Sequence, residues 1–312
     1  MSAFVVVNPH SANGRTGREW KAIERSLRTV YPSMSVGFTR KRGEATALVR
    51  HALREGHYEI VAVGGDGTIN EAVNGMFDAG GTTPADSVFA FVTSGTGGDF
   101  RKTFGIEPGP AAAIARLKRA SAHRIDVGRV TCLTRTGEPT MRYFINIASF
   151  GLSGVIVDSV NRSRVAKLFG GSFAFGFHSV LGMLRYRNSA VRIMVEGVED
   201  EIATIATVAI ANGQYFGGGM KVAPGAFVDD GLFDIVVMGG APKGRSLAEM
   251  KLLYTGEHIR KPHVRVLQGK HVVVAPVAET HGRPVLIETD GEAAGRLPAT
   301  FEILPRALNL RC

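Results

Sequence analysis

The sequence predicts an α/β domain built on a parallel sheet, followed by an antiparallel, β-rich domain. Three observations predict it. Short apolar strands alternate with amphipathic helices through the first third, glycine-rich loops follow several of those strands, and after about His123 the rhythm changes to strand upon strand. The chain has 312 residues, 45% of them hydrophobic and 21% charged, which is long for a single core. Two domains are therefore expected, residues 1–122 and 123–298.

Phe4 to Val7 is the first strand. Trp20, Ile23, Leu27 and Val30 then recur three or four apart, the spacing of one helix face. Val36 to Phe38 suits a second strand, with a helix from about Glu44 to Glu55 after it. Ile60 to Val63 is apolar throughout, as a strand covered on both faces must be, and Ile69, Val73 and Phe77 mark the next helix. Strand Val88 to Val92 and helix Ala111 to Arg119 complete the alternation. Beyond it, Ile125 to Leu133, Arg142 to Ile147, Val191 to Val195, Thr204 to Ala211, Leu232 to Met238 and Val272 to Val274 read as strands. In one of them Val191, Ile193 and Val195 alternate with Arg192 and Met194, the period of a strand with one buried face. The last segment, Ala299 to Leu310, is compatible with either domain.

Composition narrows the setting. Cys132 and Cys312 are the two cysteines, so there is no disulfide framework and no paired Cys-x-x-Cys metal spacing, which fits a reducing cytoplasm. The N-terminus reaches Asn8-Pro9 without a basic segment followed by a long apolar core, so a secretory leader is not expected. Leu168 to Leu184 is the richest apolar stretch, but four glycines and His178 interrupt it, and it falls short of the roughly 20 apolar residues that span a bilayer. Arg162, Arg164 and Lys167 precede this stretch and Arg185 and Arg187 follow it, a pattern that suits either a peripheral membrane contact or a buried helix with charged ends. A net charge of +9 favours polyanionic partners. Nucleic acid is not expected among them, because no basic-aromatic platform is evident.

Three loops follow strands of the first domain, where an open parallel sheet presents the carboxyl ends at which ligands bind. Asn8 to Gly14 offers hydroxyls and backbone donors near a helix N-terminus, equally consistent with an anion site and with a plain turn. Gly64-Gly65-Asp66-Gly67-Thr68 lets the backbone approach phosphate oxygens without Cβ clashes. A carboxylate there points to a bound magnesium ion or to a hydroxyl proton, the alternative being a helix N-cap. Thr93 to Asp99 repeats the pattern, and Arg101 and Lys102 beyond it suit either phosphate neutralisation or a solvated helix face. Gly217-Gly218-Gly219 reads as a close turn rather than a phosphate site.

At these residues the chain resembles the diacylglycerol kinase catalytic family. The resemblance runs nearly end to end: N-P-x-S at Asn8 to Ser11, G-G-D-G-T-I-N at Gly64 to Asn70, G-T-x-x-D-F at Gly95 to Phe100, then Asn212 to Pro224, Asp229-Asp230-Gly231 and Asp290-Gly291-Glu292. It implies a Rossmann-like, phosphofructokinase-like nucleotide-binding domain, a β-sandwich-like lipid domain, and a C-terminal segment, 299–312, that rejoins the first domain. It implies ATP and Mg2+ as cofactors, with Asn8, Ser11, Thr39, Gly64, Gly65, Asp66, Gly67, Thr68, Ile69, Asn70, Gly95 and Thr96 around the nucleotide. Glu292 becomes the expected general base for a lipid hydroxyl, Asp66 a magnesium ligand or proton-transfer partner, and Asp230 with the carbonyls of Phe227 and Leu232 an accessory metal site. Gly98 stands where many relatives of the family carry Asn, which puts any contact of that amide in doubt. The expected activity is transfer of the γ-phosphate of ATP to a lipid hydroxyl at a membrane surface, by a cytoplasmic, membrane-peripheral enzyme. The competing readings are an NAD kinase-like enzyme with a soluble substrate and a non-catalytic lipid-binding protein. The lipid is not identified, and oligomeric state stays open, a homodimer included.

Overall fold

The structure, a computed structural model, describes residues 3–78, 80–94, 98–162, 181–182, 186–240, 248–277 and 283–312. It falls into two compact units, residues 1–126 with 306–312 and residues 127–305.

The first unit alternates strands and helices: β1 (Ala3–Val7), α1 (Arg15–Arg28), β2 (Met34–Phe38), α2 (Glu44–Arg54), β3 (Glu59–Gly64), α3 (Asp66–Met76), β4 (Val88–Thr93), α4 (Asp99–Thr103) and α5 (Pro110–Leu117). The strands pair in parallel in the order β4-β3-β1-β2. Every residue of β3 is buried, because helices cover both faces of a parallel sheet. Ile23 and Leu27 of α1 and Ile114 and Leu117 of α5 pack with Val5, Val7, Val61 and Val63 in one core cluster. On the other helices Gly75 permits close packing, since a Cβ there would lie 2.7 Å from Val49 of α2. The C-terminal strand supplies Leu310 and Arg311, which pair in parallel with Phe89 and Ala90 of β4. Arg311 also binds the buried Glu59 at 2.7 Å.

The second unit contains β6 (Pro139–Phe144), β7 (Ile147–Gly151), α6 (Leu152–Arg162), β8 (Ser189–Val195), β9 (Glu199–Ala211), β10 (Phe233–Gly239), β11 (Val264–Gly269), β12 (His271–Pro276) and β13 (Leu286–Thr289). Two long strands, β5 (Ala122–Leu133) and β14 (Glu292–Arg311), have residues in both units. The pairing is antiparallel and closes a circuit: β9 with β8, β8 with β12, β12 with β14, β14 with β13, β13 with β7, and β7 back to β9. Phe144, Phe150, Phe233 and Phe301 fill its core with the buried valines and isoleucines of the same strands. Val191, Ile193 and Val195 face inward and Arg192 outward, as their alternation requires.

One expected strand is two. Arg142 to Ile147 breaks at Ile145 and Asn146, because the amides of Ile145, Asn146 and Ile147 turn to the side chain of Asp290 at 3.0–3.1 Å. Successive amides bound to one carboxylate cannot also alternate across a ladder. Among the described residues, no helix is long and apolar enough to cross a membrane. The basic-flanked stretch between Asn161 and Arg187 lies almost wholly outside the described residues.

Candidate active site

Register places the first unit's predicted residues side by side. Val7 pairs with Phe38 and with Val63, and Val63 pairs with Val92. Asn8, Thr39, Gly64 and Ser94 therefore leave the carboxyl ends of four neighbouring strands. Backbone bonds from Asn8 to Val63, from Thr39 to Val7 and from Ser94 to Gly64, at 2.8–3.0 Å, hold that edge together. Asn8 Nδ2 donates to Thr68 Oγ1 at 3.0 Å, joining the first loop to the second. Ser11 Oγ lies 2.6 Å from Thr16 Oγ1 and 3.1 Å from Ser94 Oγ, joining the first loop to the third. Ala12, Asn13 and Gly14 are all left-handed, and the amides of Arg15 and Gly17 donate to Ala12 and Pro9 within the same segment. The first turn of α1 thus satisfies amides of its own.

The second loop differs. A Cβ on Gly64 would sit 2.6 Å from Thr68 Oγ1, so glycine there serves the protein's own packing. Gly65 has φ −91 and ψ −177, which any residue adopts, and a Cβ there would meet nothing within 4 Å. Neither backbone nor neighbours require glycine at 65, which leaves room above this backbone for a ligand. Asp66 begins α3 but does not cap it. Its Oδ2 accepts the amides of Gly98 at 2.9 Å and Asp99 at 3.3 Å, at the start of α4. Gly67 and Thr68 complete the first turn of α3, whereas Ile69 is buried, with its amide bound to Gly65 O. Asn70 is buried and accepts from Asn74 within the helix. These two support the loop from below. Gly95 and Thr96 lie outside the described residues.

Arg101 and Lys102 fit neither expectation. Arg101 is buried and donates to Ile106 O, and Lys102 pairs with Asp99 at 2.7 Å. Gly98 has φ 60 and ψ 49, a conformation that glycine and asparagine both tolerate, and a Cβ at 98 would lie 2.8 Å from Arg101 Nε. Arg101 fills the space that an Asn side chain would need. Gly98→Asn is expected to lower stability by about 1–3 kcal/mol, the range for overpacking a tight site, as read from the urea midpoint. An unchanged midpoint would show that Arg101 moves aside freely.

In the second unit, Asp290 (φ 49) and Gly291 (φ 83) form the two-residue turn between β13 and β14, both left-handed as a type I′ hairpin requires. Glu292 opens β14 opposite Thr289, half-buried. Asp290 holds the Ile145–Ile147 break, and Asn212 joins the same knot through Nδ2 to Ile145 O at 2.8 Å and its amide to Asn146 O at 2.9 Å. Behind the turn lies Glu288, 2% exposed, which accepts the Gly291 amide at 2.8 Å and bonds Ser149 Oγ. Sequence reasoning missed Glu288 and Asn146, since an acid inside a four-residue strand has no signature before its surroundings are known. Burial, chiefly, and the Asp290 charge push the Glu288 carboxyl up to about 8 against hydrogen bonds that lower it. A raised folded-state pKa contributes stability that is complete below the unfolded value and lost as pH rises through about 8. Urea midpoints should therefore fall from about pH 5 to about pH 9 on this account, and Glu288→Gln should flatten the fall.

Asp230 Oδ1 accepts the Leu232 amide at 3.0 Å, and Gly231 (φ 75) makes the turn between them. The Phe227 ring is 63% exposed. Among the described residues there is no group of three or more His, Cys, Asp or Glu able to hold a metal. A cation at Asp230 would therefore draw on backbone carbonyls such as those of Phe227 and Leu232, an all-oxygen set of the kind that hard cations prefer. Gly217, Gly218 and Gly219 are all left-handed between Phe216 and Met220, which bond each other in both directions at 3.0 Å, so this segment is a close turn.

The chain matches two known domain families in succession. Residues 2–130 match the diacylglycerol kinase catalytic domain, and residues 146–312 match the YegS C-terminal NAD kinase beta sandwich-like domain. The diacylglycerol kinase of Staphylococcus carnosus (strain TM300) is 27% identical over 301 residues, covering 96% of this chain and 91% of that protein. The diacylglycerol kinase of Staphylococcus aureus (strain MRSA252) is 26% identical over 314 residues, covering 99% and 91%. A crystal structure of a diacylglycerol kinase from Bacillus anthracis str. Sterne shares the fold with a TM-score of 0.69 at 19% identity, covering 99% of this chain and 96% of that one. From its two matched domains, the chain belongs to the diacylglycerol kinase catalytic domain family, in the form that carries a YegS C-terminal domain.

Proposed function

We propose that this protein is an ATP-dependent lipid kinase that transfers the γ-phosphate of ATP to a lipid hydroxyl. The observation that carries this reading is the second loop, where open space over Gly65 adjoins a carboxylate that ties two neighbouring loops together. Phosphoryl transfer asks a protein for positioning and charge neutralisation more than for covalent chemistry. The backbone from Gly64 to Thr68 approaches the phosphates, while Asn8 and Ser11 fix the adjoining loop and Thr39 borders it. Asp66 stays anchored by the Gly98 and Asp99 amides, which would hold it in place as a magnesium ligand or proton-transfer partner. Magnesium, when bound, would neutralise charge on the phosphate oxygens, with Asp66 as its ligand; separately, Asp230 with the carbonyls of Phe227 and Leu232 offers oxygen donors to an accessory metal. Glu292 accepts the proton of the lipid hydroxyl as the new bond forms.

Diacylglycerol is the first substrate to try, because the curated relatives carry that name. The test is incubation with γ-labelled ATP, magnesium and a lipid extract, followed by identification of the labelled product. Label in a lipid that disappears with Asp66→Ala supports the reading. Absence of labelled lipid from every extract would overturn it.

A further inference from the structure

A carboxyl as buried as Glu288 is an expensive occupant of a strand interior unless its bonds serve a purpose. Its two oxygens point two ways. Oε2 accepts the amide of Gly291, the residue immediately before Glu292. Oε1 meets Ser149 Oγ on β7, Ser149 Oγ lies 2.8 Å from Ser153 Oγ, and Ser153 Oγ lies 3.3 Å from Thr207 Oγ1 on β9. Thr207 Oγ1 in turn accepts the Ser153 amide at 3.0 Å, in the first turn of α6. Ser149, Ser153 and Thr207 are all buried.

Proton counting shows what this chain can do. Ser149 has one hydroxyl proton and two neighbours in reach, Glu288 and Ser153. When Glu288 is ionised, Ser149 donates to it; when Glu288 carries a proton, that proton goes to Ser149 and the Ser149 proton to Ser153. Thr207 donates to Ser153. The row ties β13 to β7, α6 and β9, and connected polar networks are rigid.

We propose that Glu288 is the positioning residue for Glu292: it grips the Gly291 amide and, through Ser149, Ser153 and Thr207, ties the catalytic turn to the first turn of α6. The catalytic half of this rests on the reading of Glu292 given above; the structural half does not. The charged groups on the elements around Glu288 include Asp290 on the turn, Glu292 and Arg296 on β14 and Asp158 on α6, the last paired with Arg135. β7 and β9 face it with the neutral Ser149 and Thr207.

Glu288→Ala and Glu288→Gln separate the possibilities, read by amide hydrogen exchange and by kinetics. Glutamine can accept from Gly291 and donate to Ser149, whereas alanine can do neither. In Glu288→Ala the amides of Gly291 and of Ile145 to Ile147 should exchange faster, and kcat should fall by about 10- to 100-fold with KM for ATP little changed, as for a displaced catalytic group. Glu288→Gln should restore slow exchange and most of kcat. Unchanged exchange in Glu288→Ala would overturn the proposal, as would faster exchange with unchanged kcat, or a Gln variant as damaged as Ala. Full activity of Glu292→Gln beside altered exchange in Glu288→Ala would instead remove Glu292 from catalysis and leave the tie to α6 standing.

Discussion

Glu292→Gln is expected to cut lipid phosphorylation by about 10²- to 10⁴-fold, the range for losing a general base. Glutamine keeps the shape of the side chain and leaves the backbone pairing of residue 292 with Thr289 intact, so the hairpin should form as before. What it removes is the ability to take a proton from an attacking hydroxyl. The loss should fall on kcat, with KM for ATP and the melting temperature close to wild type. Asp66→Asn should reduce activity as severely for a different reason. Its amide can still accept from Gly98 and Asp99 but offers a metal ion no negative charge. Raising the magnesium concentration should therefore recover part of the Asp66→Asn activity and none of the Glu292→Gln activity. Wild-type turnover in the Gln variant would remove Glu292 from the mechanism.

Asp290 gives the largest expected effect on stability. Its carboxylate serves the amides of Ile145, Asn146 and Ile147, in a segment with all three residues buried. Each buried donor left without an acceptor costs about 1–3 kcal/mol, so losing the carboxylate should cost about 3 kcal/mol or more. Asp290 is also left-handed, and alanine would add backbone strain at that position. Glycine avoids the strain and asparagine tolerates the conformation, so Asp290→Gly and Asp290→Asn isolate the hydrogen bonds. Asparagine keeps one acceptor oxygen for Asn146 and Ile147, which share Oδ1, and should be milder. Equal urea midpoints for the two variants would show that the carboxylate is not what holds the break. Activity should follow the same order, because this turn also positions Glu292.

Much of the fold was legible before the structure. The 3.6-residue spacing of Ile23 and Leu27 and the uniformly apolar Ile60 to Val63 reflect burial against a sheet, and burial is what periodicity records. The strands β11 and β13 were missed for the same reason. Only Val264 and Gly269 are buried in β11, and β13 has four residues, so neither carries a usable period. Helix α4 is five residues long and takes its cap from Asp66, a bond that spans more than 30 positions and leaves no local mark. The site followed the same division: Asp66 and Glu292 stand in compact glycine motifs, while Asn146 and Glu288 matter through partners far along the chain.

By itself the sequence determined the two kinds of domain, the loops after β1, β3 and β4, and the family, because each of these is written in short runs of neighbouring residues. The tertiary structure decided that Asp66 caps the following helix, that Arg101 occupies the space beside Gly98, that Asp290 breaks a strand in two and that Glu288 lies behind the turn between β13 and β14. Each of those outcomes depends on which donors lose water together and which acceptor is left within 3 Å of them, and that choice is made only when distant strands pair.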